Sequence, residues 1–171
     1  MRVLNAGCGN EPLPKWFEII GGEWTEVRYD INPDNEPDVV GSIVDLGAFA
    51  PGSFDAVSCC HTLEHLYPHD VPRALAEFYR VLRPGGFALI MVPDLEGIKA
   101  DEEPLYETPT GFVTGLDLIY GLRVCVEKLP YMAHHTGFTS DTLRAVLKST
   151  GFPDVNTTRA MMFNLVGAAV K

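Results

Sequence analysis

Three groups of residues in this chain have types and spacings that can do chemistry. Gly7 and Gly9 flank Cys8 in the run Asn-Ala-Gly-Cys-Gly-Asn, directly after the apolar Val3 and Leu4. Glycines at such a place let the chain turn sharply and let a ligand approach backbone N–H groups with no Cβ in the way. Pro12 stands where a dinucleotide-binding G-x-G-x-x-G would need its third glycine, which weighs against a nicotinamide site. Asp30 closes an alternating stretch and precedes Asn32, Pro33, Asp34, Asn35 and Pro37, so a carboxylate stands at the end of a second strand. His61, Glu64 and His65 spell H-x-x-E-H, which on a helix would offer two imidazoles to zinc and a Glu as base. Pro68 leaves little room for that helix and no downstream acidic ligand accompanies it, so no metal is expected. His69 extends the spacing but fits a solvated helix start.

The elements that must position these groups read as alternating strand and helix. A first strand feeds the glycine loop, and Trp16, Phe17, Ile19 and Ile20 suit a short helix closed by Gly21 and Gly22. Residues 25–29 form a second strand, and 38–41 a short third one ahead of Asp45 and Leu46. The small, apolar run 54–60 reads as a central strand buried on both faces. A helix follows, with Asp70 as N-cap, Pro72 in its first turn, Val71, Leu75, Phe78, Tyr79 and Leu82 on one stripe, and Pro84, Gly85 and Gly86 as its stop. Residues 87–92 make the next buried strand, at the spacing of a right-handed parallel crossover. Residues 95–137 break the rhythm with Pro104, Pro109 and Pro130 and one helical piece at 116–120, and read as an insertion. Thr139 or Ser140 caps a helix carrying Leu143, Val146 and Leu147 and ending at Gly151. Residues 155–162 and 165–170 read as a closing antiparallel hairpin.

The bulk properties bound the answer. With 171 residues, 46% hydrophobic and 21% charged, the expectation is one domain spanning 1–171. The longest apolar run, 87–92, is far short of the roughly 20 residues of a membrane helix, and no leader is evident, so a cytoplasmic protein without a membrane partner is expected. Cys8, Cys59, Cys60 and Cys125 form no C-x-x-C pair and read as reduced thiols. A formal net charge of −10 disfavours a nucleic-acid partner, because phosphate affinity comes from Lys and Arg.

LNAGCGN, VRYDI, SIVDL, FDAVSCCHTLEHL and EFYRVLRPGGFALIMVPD follow one another in an order that resembles the class I S-adenosylmethionine-dependent methyltransferases, in particular small bacterial predicted methyltransferases. The stretch YMAHHTGFTSDTLRAVLKSTGF is also similar to that group. The resemblance covers residues 2–94 closely and 139–171 loosely. It implies a Rossmann-like, doubly wound α/β fold with a mostly parallel seven-stranded sheet in the order 3-2-1-4-5-7-6, the last strand antiparallel, and helices on both faces. It also implies S-adenosylmethionine as cofactor, with Gly7, Cys8 and Gly9 around its methionine part, Asp30 with Ile31 at the ribose, and Asp45 with Leu46 at the adenine. Asn5 and Glu11 depart from the family pattern, which often has an acidic residue and a glycine there. Asn5 still accepts a hydrogen bond but supplies no charge.

The same resemblance puts Cys60 and His61 beside the methyl group. His61 is the candidate catalytic residue, either as a base, since an imidazole takes a proton near neutral pH, or as a structural residue that holds its loop. Asp117, Tyr120, Tyr131, His134 and His135 are the insertion's candidates for the acceptor, although adjacent histidines on an extended stretch cannot both face one site. The insertion, or a second subunit in a homodimer, is expected to cover the pocket. The implied reaction is methyl transfer to a small-molecule acceptor rather than to a protein. The alternatives are a non-catalytic cofactor- or partner-binding module and, further off, a zinc hydrolase.

Overall fold

The computed structural model describes residues 1–108 and 111–171, so Pro109 of the insertion lies outside the described residues. Its main sheet has the order β3-β2-β1-β4-β5-β9-β8, built from β1 (Arg2–Ala6), β2 (Thr25–Asp30), β3 (Val39–Val40), β4 (Phe54–Cys60), β5 (Leu82–Pro93), β8 (Asp154–Ala160) and β9 (Asn164–Val170). β1, β2, β3, β4 and β5 pair in parallel, while β9 runs antiparallel to β5 and to β8. This is the expected order, with β9 and β8 as its seventh and sixth strands. The two numbers that intervene belong to a separate hairpin, β6 (Pro104–Thr108) and β7 (Gly111–Thr114).

The centre of the sheet is apolar because β1, β4 and β5 lie between strands on both edges. Leu4 pairs with Val57, and Val57 with Ala88. One face is covered by α2 (Val71–Val81) and α5 (Ser140–Ser149), whose Leu75, Phe78, Leu143 and Leu147 join Leu4, Val57 and Ile90 in the main core. Gly167 of β9 lets the Leu143 and Leu147 side chains come close to the strand. The other face holds a smaller cluster, in which Phe17 of the five-residue helix α1 (Trp16–Ile20) packs with Val3, Ala56, Trp24 and Phe87. The Trp24 ring meets those of Phe17 and Phe87 edge-on, an arrangement that adds quadrupole attraction to burial.

Three local expectations are corrected. Asp70 precedes α2 but makes no cap bond; its own backbone is already helical, and its carboxylate takes Arg73 at 2.7 Å instead. Leu82 opens β5 rather than continuing the helix, pairing with Phe54, and a register shift then absorbs Pro84 and Gly85 inside the strand. The insertion is more ordered than its prolines suggest, with the β6–β7 hairpin, α3 (Gly115–Tyr120) and α4 (Arg123–Val126). Thr139 does cap α5, with a reciprocal Thr142 bond. No helix among the described residues is long and apolar enough to cross a membrane.

Candidate active site

The parallel strands end at one edge of the sheet, where the loops after β1, β2 and β4 meet. The chain leaves β1 through Gly7 at φ 73° and Gly9 at φ 52°, both in the left-handed region. A Cβ on Gly7 would overlap the Thr62 side chain, whose hydroxyl donates to the carbonyls of Gly7 and Cys60, whereas a Cβ on Gly9 would meet only open space. Arg28 of β2 pins the loop from outside, donating to the carbonyls of Gly9 at 2.6 Å and Glu11 at 3.0 Å. Asp30 is buried and accepts from the backbone N–H of Gly9 and of Asn32, each at 2.8 Å. It thus fixes the distance between the first loop and the second, with lone pairs left over for a ligand.

These loops enclose a cavity of about 340 Å³. Gly7, Gly9, Asp30, Ile31 and His61 stand on its wall, together with Tyr131 of the insertion. The other expected cofactor residues do not. Asn5 is turned into β2, donating to Glu26 at 2.7 Å. Cys8 is buried beside the loop, and its thiol is pushed up in pKa mainly by that burial. Leu46 is fully buried in the core, with its N–H on Glu77, and Asp45 closes a local turn onto Gly47. Ser42 and Ile43 stand on the wall where Asp45 and Leu46 were expected, and the Tyr29 hydroxyl ties the loop together behind them, 2.8 Å from the Asp45 carbonyl and 3.3 Å from that of Ser42. Cys60 points off the wall and its thiol is pushed up to about 12 by burial, with Glu64 adding to the shift.

A second cavity of about 270 Å³ lies under the insertion, lined among others by Tyr106, Leu118, Leu122, Met132 and Phe163. His61, His65 and Met132 belong to the walls of both cavities. His61 sits at φ 50°, a conformation unusual for a residue with a Cβ and one that clusters at functional sites. Its Nδ1 lies 3.3 Å from Glu64 Oε1 and its side chain remains 45% exposed, whereas Glu64 is only 1% exposed. The H-x-x-E-H stretch forms no zinc helix, since Leu63–His65 is a single 3₁₀ turn.

The insertion's candidates separate. Asp117 caps α3 through Thr114 and holds Arg123 at 3.1 Å; burial alone would raise its carboxyl pKa, but those hydrogen bonds outweigh it and hold it below the usual range. Tyr120 is exposed and off both walls. Tyr131 accepts from Asn32 at 3.0 Å and ties the insertion to the loop after β2. His134 faces the second cavity, while His135 stacks on Tyr67 with ring centroids 4.3 Å apart. Burial lowers the His134 pKa. Glu64, His65 and His134 each offer a ligand atom within 4.8 Å of the others. Sequence reasoning missed Arg28, Ser42, Ile43 and Thr62; only the small, polar Thr62 beside His61 gave a local cue.

Residues 4–90 match the family model described as methyltransferase domain, half of the chain. The chain belongs to the class I S-adenosylmethionine-dependent methyltransferases. A ubiquinone biosynthesis O-methyltransferase of Xanthomonas campestris is 31% identical over 149 residues, 78% of this chain and 54% of the relative. The chain thus spans about half the length of the curated relatives it matches first. Among solved structures, an S-adenosylmethionine-dependent methyltransferase from Mesorhizobium loti superposes with a TM-score of 0.68 at 16% identity, covering 99% of this chain and 90% of that one. The Burkholderia thailandensis 1,6-didemethyltoxoflavin N1-methyltransferase, solved with its acceptor and S-adenosylhomocysteine, gives 0.60 at 20% identity, covering 99% and 70%. At those identities the likeness is one of fold.

Proposed function

We propose that this chain transfers a methyl group from S-adenosylmethionine, held in the first cavity, to a small, largely apolar acceptor held in the second. The observation that carries the reading is the position of His61, on the wall common to the two cavities. The first cavity suits the cofactor by its chemistry. It has a carboxylate at the loop ends, apolar Ile31, Ile43 and Leu66 along the wall, and no Lys or Arg to meet a pyrophosphate. Bound there, S-adenosylmethionine supplies an electrophilic methyl on a sulfonium, a cation that an acidic surround favours.

The chain's own residues do the rest. Gly7 and Gly9 keep backbone at the ligand's methionine end, with Cys8 and the buried Asn5 behind them as support. Asp30 accepts from the ribose diol, Ile31 packs at the rim, and Ser42 with Ile43 flanks the adenine. Asp45, Leu46 and Cys60 act by shaping these walls. Glu64 Oε1 accepts a hydrogen bond from Nδ1–H of His61, which holds the tautomer whose Nε2 keeps its lone pair toward the acceptor. An acceptor hydroxyl aligned there gives its proton to Nε2 as the oxygen takes the methyl, alignment contributing as much as proton transfer.

Residues 1–171 act in this reading as one methyltransferase-like domain with 95–137 as its cover. An oxygen acceptor follows the O-methyltransferase relative, and a cytoplasmic setting suits four free thiols. A module that binds cofactor without transfer is the second reading, favoured by Asn5 facing Glu26 rather than the cavity. Calorimetric titration of S-adenosylmethionine and its demethylated product, repeated with Asp30→Ala, tests the cofactor site. Binding lost in a folded Asp30→Ala protein supports it, and no binding by the folded parent protein sinks it.

A further inference from the structure

His61, His65 and His134 line the second cavity under the insertion, with Glu64 among them, and Glu64, His65 and His134 each have a feature that methyl transfer does not use. Glu64 Oε1 lies against His61 Nδ1, but Oε2 is buried with no hydrogen-bond partner. A carboxylate oxygen taken from water and left bare is costly, so a native site needs something to meet it. His65 Nδ1 lies 3.3 Å from the Ala133 carbonyl, and His134 Nδ1 lies 2.9 Å from the Leu118 carbonyl. A carbonyl only accepts, so each Nδ1 donates its proton there, and in the neutral ring Nε2 is the nitrogen that keeps a lone pair. Backbone carbonyls that orient imidazoles in this way are the usual outer support of metal-ligating histidines.

The three groups come from two places far apart in the chain, the turn after β4 and the segment after α4, and their ligand atoms converge within 4.8 Å. Two imidazole lone pairs and a bare carboxylate oxygen repel one another unless a cation or a shared proton stands between them. We propose that Glu64, His65 and His134 bind a divalent first-row transition ion whose open positions take an oxygen of the acceptor. Two nitrogens and one carboxylate form a set of borderline softness that suits zinc, cobalt, iron or manganese better than magnesium or calcium, which prefer oxygen ligands. Three protein ligands leave at least one position open, and it opens onto the apolar wall of Tyr106, Leu118, Leu122, Met132 and Phe163.

The ion site rests on these side chains alone, while its use toward an acceptor rests on the methyl-transfer reading. The ion would draw an apolar, hydroxylated acceptor into line and lower the pKa of the bound hydroxyl, whose proton then leaves to His61. The H-x-x-E-H stretch would thus contribute two ligands, with the third supplied by the insertion, in place of the metal-free site that the sequence suggests.

The full chain, stripped with a chelator, is titrated with Co²⁺ alone and followed by ligand-field absorption and calorimetry, with a parallel titration of S-adenosylhomocysteine. One equivalent of Co²⁺ with a four- or five-coordinate spectrum is expected, with affinity reduced about 100-fold or more in His134→Gln, His65→Gln and Glu64→Gln. Cofactor-product binding retained in His134→Gln and Glu64→Gln, neither of them on the wall of the first cavity, shows that those variants remain folded, and either one suffices; His65→Gln is checked for folding by circular dichroism. No Co²⁺ binding by the parent protein overturns the proposal, leaving a shared proton between Glu64 and an imidazole. Binding that survives His134→Gln but is lost in His61→Gln overturns the ligand set. Co²⁺ binding without any cofactor-product binding sinks the methyl-transfer reading while leaving the ion site standing.

Discussion

The two cavities that meet at His61 are built in different ways. The first rests on the loops that end the parallel strands: two left-handed glycines after β1, an Asp30 carboxylate on two N–H groups, and a short loop after β3. The second is made of side chains from the ends of β4 and β5, the insertion and the turn between β8 and β9, where Met162 and Phe163 adopt positive φ. In the proposed reading the strand-end loops serve the cofactor, which does not vary, whereas a cavity built from the insertion's side chains could change its acceptor without disturbing the sheet.

The strongest way to break this contrast is at the glycines. Gly7→Val places atoms inside the Thr62 side chain at φ 73°, and is expected to lower S-adenosylhomocysteine affinity about 100-fold and to lower the melting temperature. Gly9→Ala has open space around it and should cost only about 1 kcal/mol of stability, from its left-handed φ. If it nevertheless blocks binding, the ligand lies against Gly9 itself.

His61→Ala is expected to reduce kcat about 100-fold while cofactor affinity, read by calorimetry, changes less than about threefold. An equal loss of kcat and cofactor binding would place His61 in the first cavity alone. Asp30→Ala removes the acceptor of two half-buried N–H bonds, which predicts a loss of about 1–2 kcal/mol in denaturant unfolding together with weaker cofactor binding.

The pH dependence sharpens the second cavity. Burial depresses the His134 pKa, and Glu64, His65 and His61 are the titratable groups facing it. A depressed base binds fewer protons folded than unfolded, so its contribution to stability is complete above the ordinary histidine value of 6.5 and is lost as pH falls through the depressed value. The pH slope of the melting temperature below 6.5 should therefore flatten in His134→Gln. An unchanged slope would move the titration to another group. The smallest effect expected is that of Tyr131→Phe, which removes an exposed bond to Asn32 and should weaken cofactor binding about twofold.

The cover over the second cavity was the least legible part. Asp117 read as an acceptor contact because a carboxylate in an insertion invites that reading; it does stand on the wall of the second cavity, but Thr114 three residues earlier also makes it part of a helix cap, which the sequence reading missed. Asp45 and Leu46 were placed by the order of motifs, whereas Ser42 and Ile43 of the same loop stand on the wall, with Leu46 buried in the core and its N–H on Glu77.

Local chemistry was enough to reveal the alternation of strands and helices, the glycine turn after β1, the carboxylate ending β2 and the Thr139 cap, because each depends on residues within a few positions of one another. Tertiary structure alone decided that Arg28 clamps the glycine loop, that Asn5 turns to Glu26, and that His134 joins Glu64 and His65. Those meetings depend on where the sheet and the insertion bring distant side chains, and no spacing within a single element encodes a contact between residues 64 and 134.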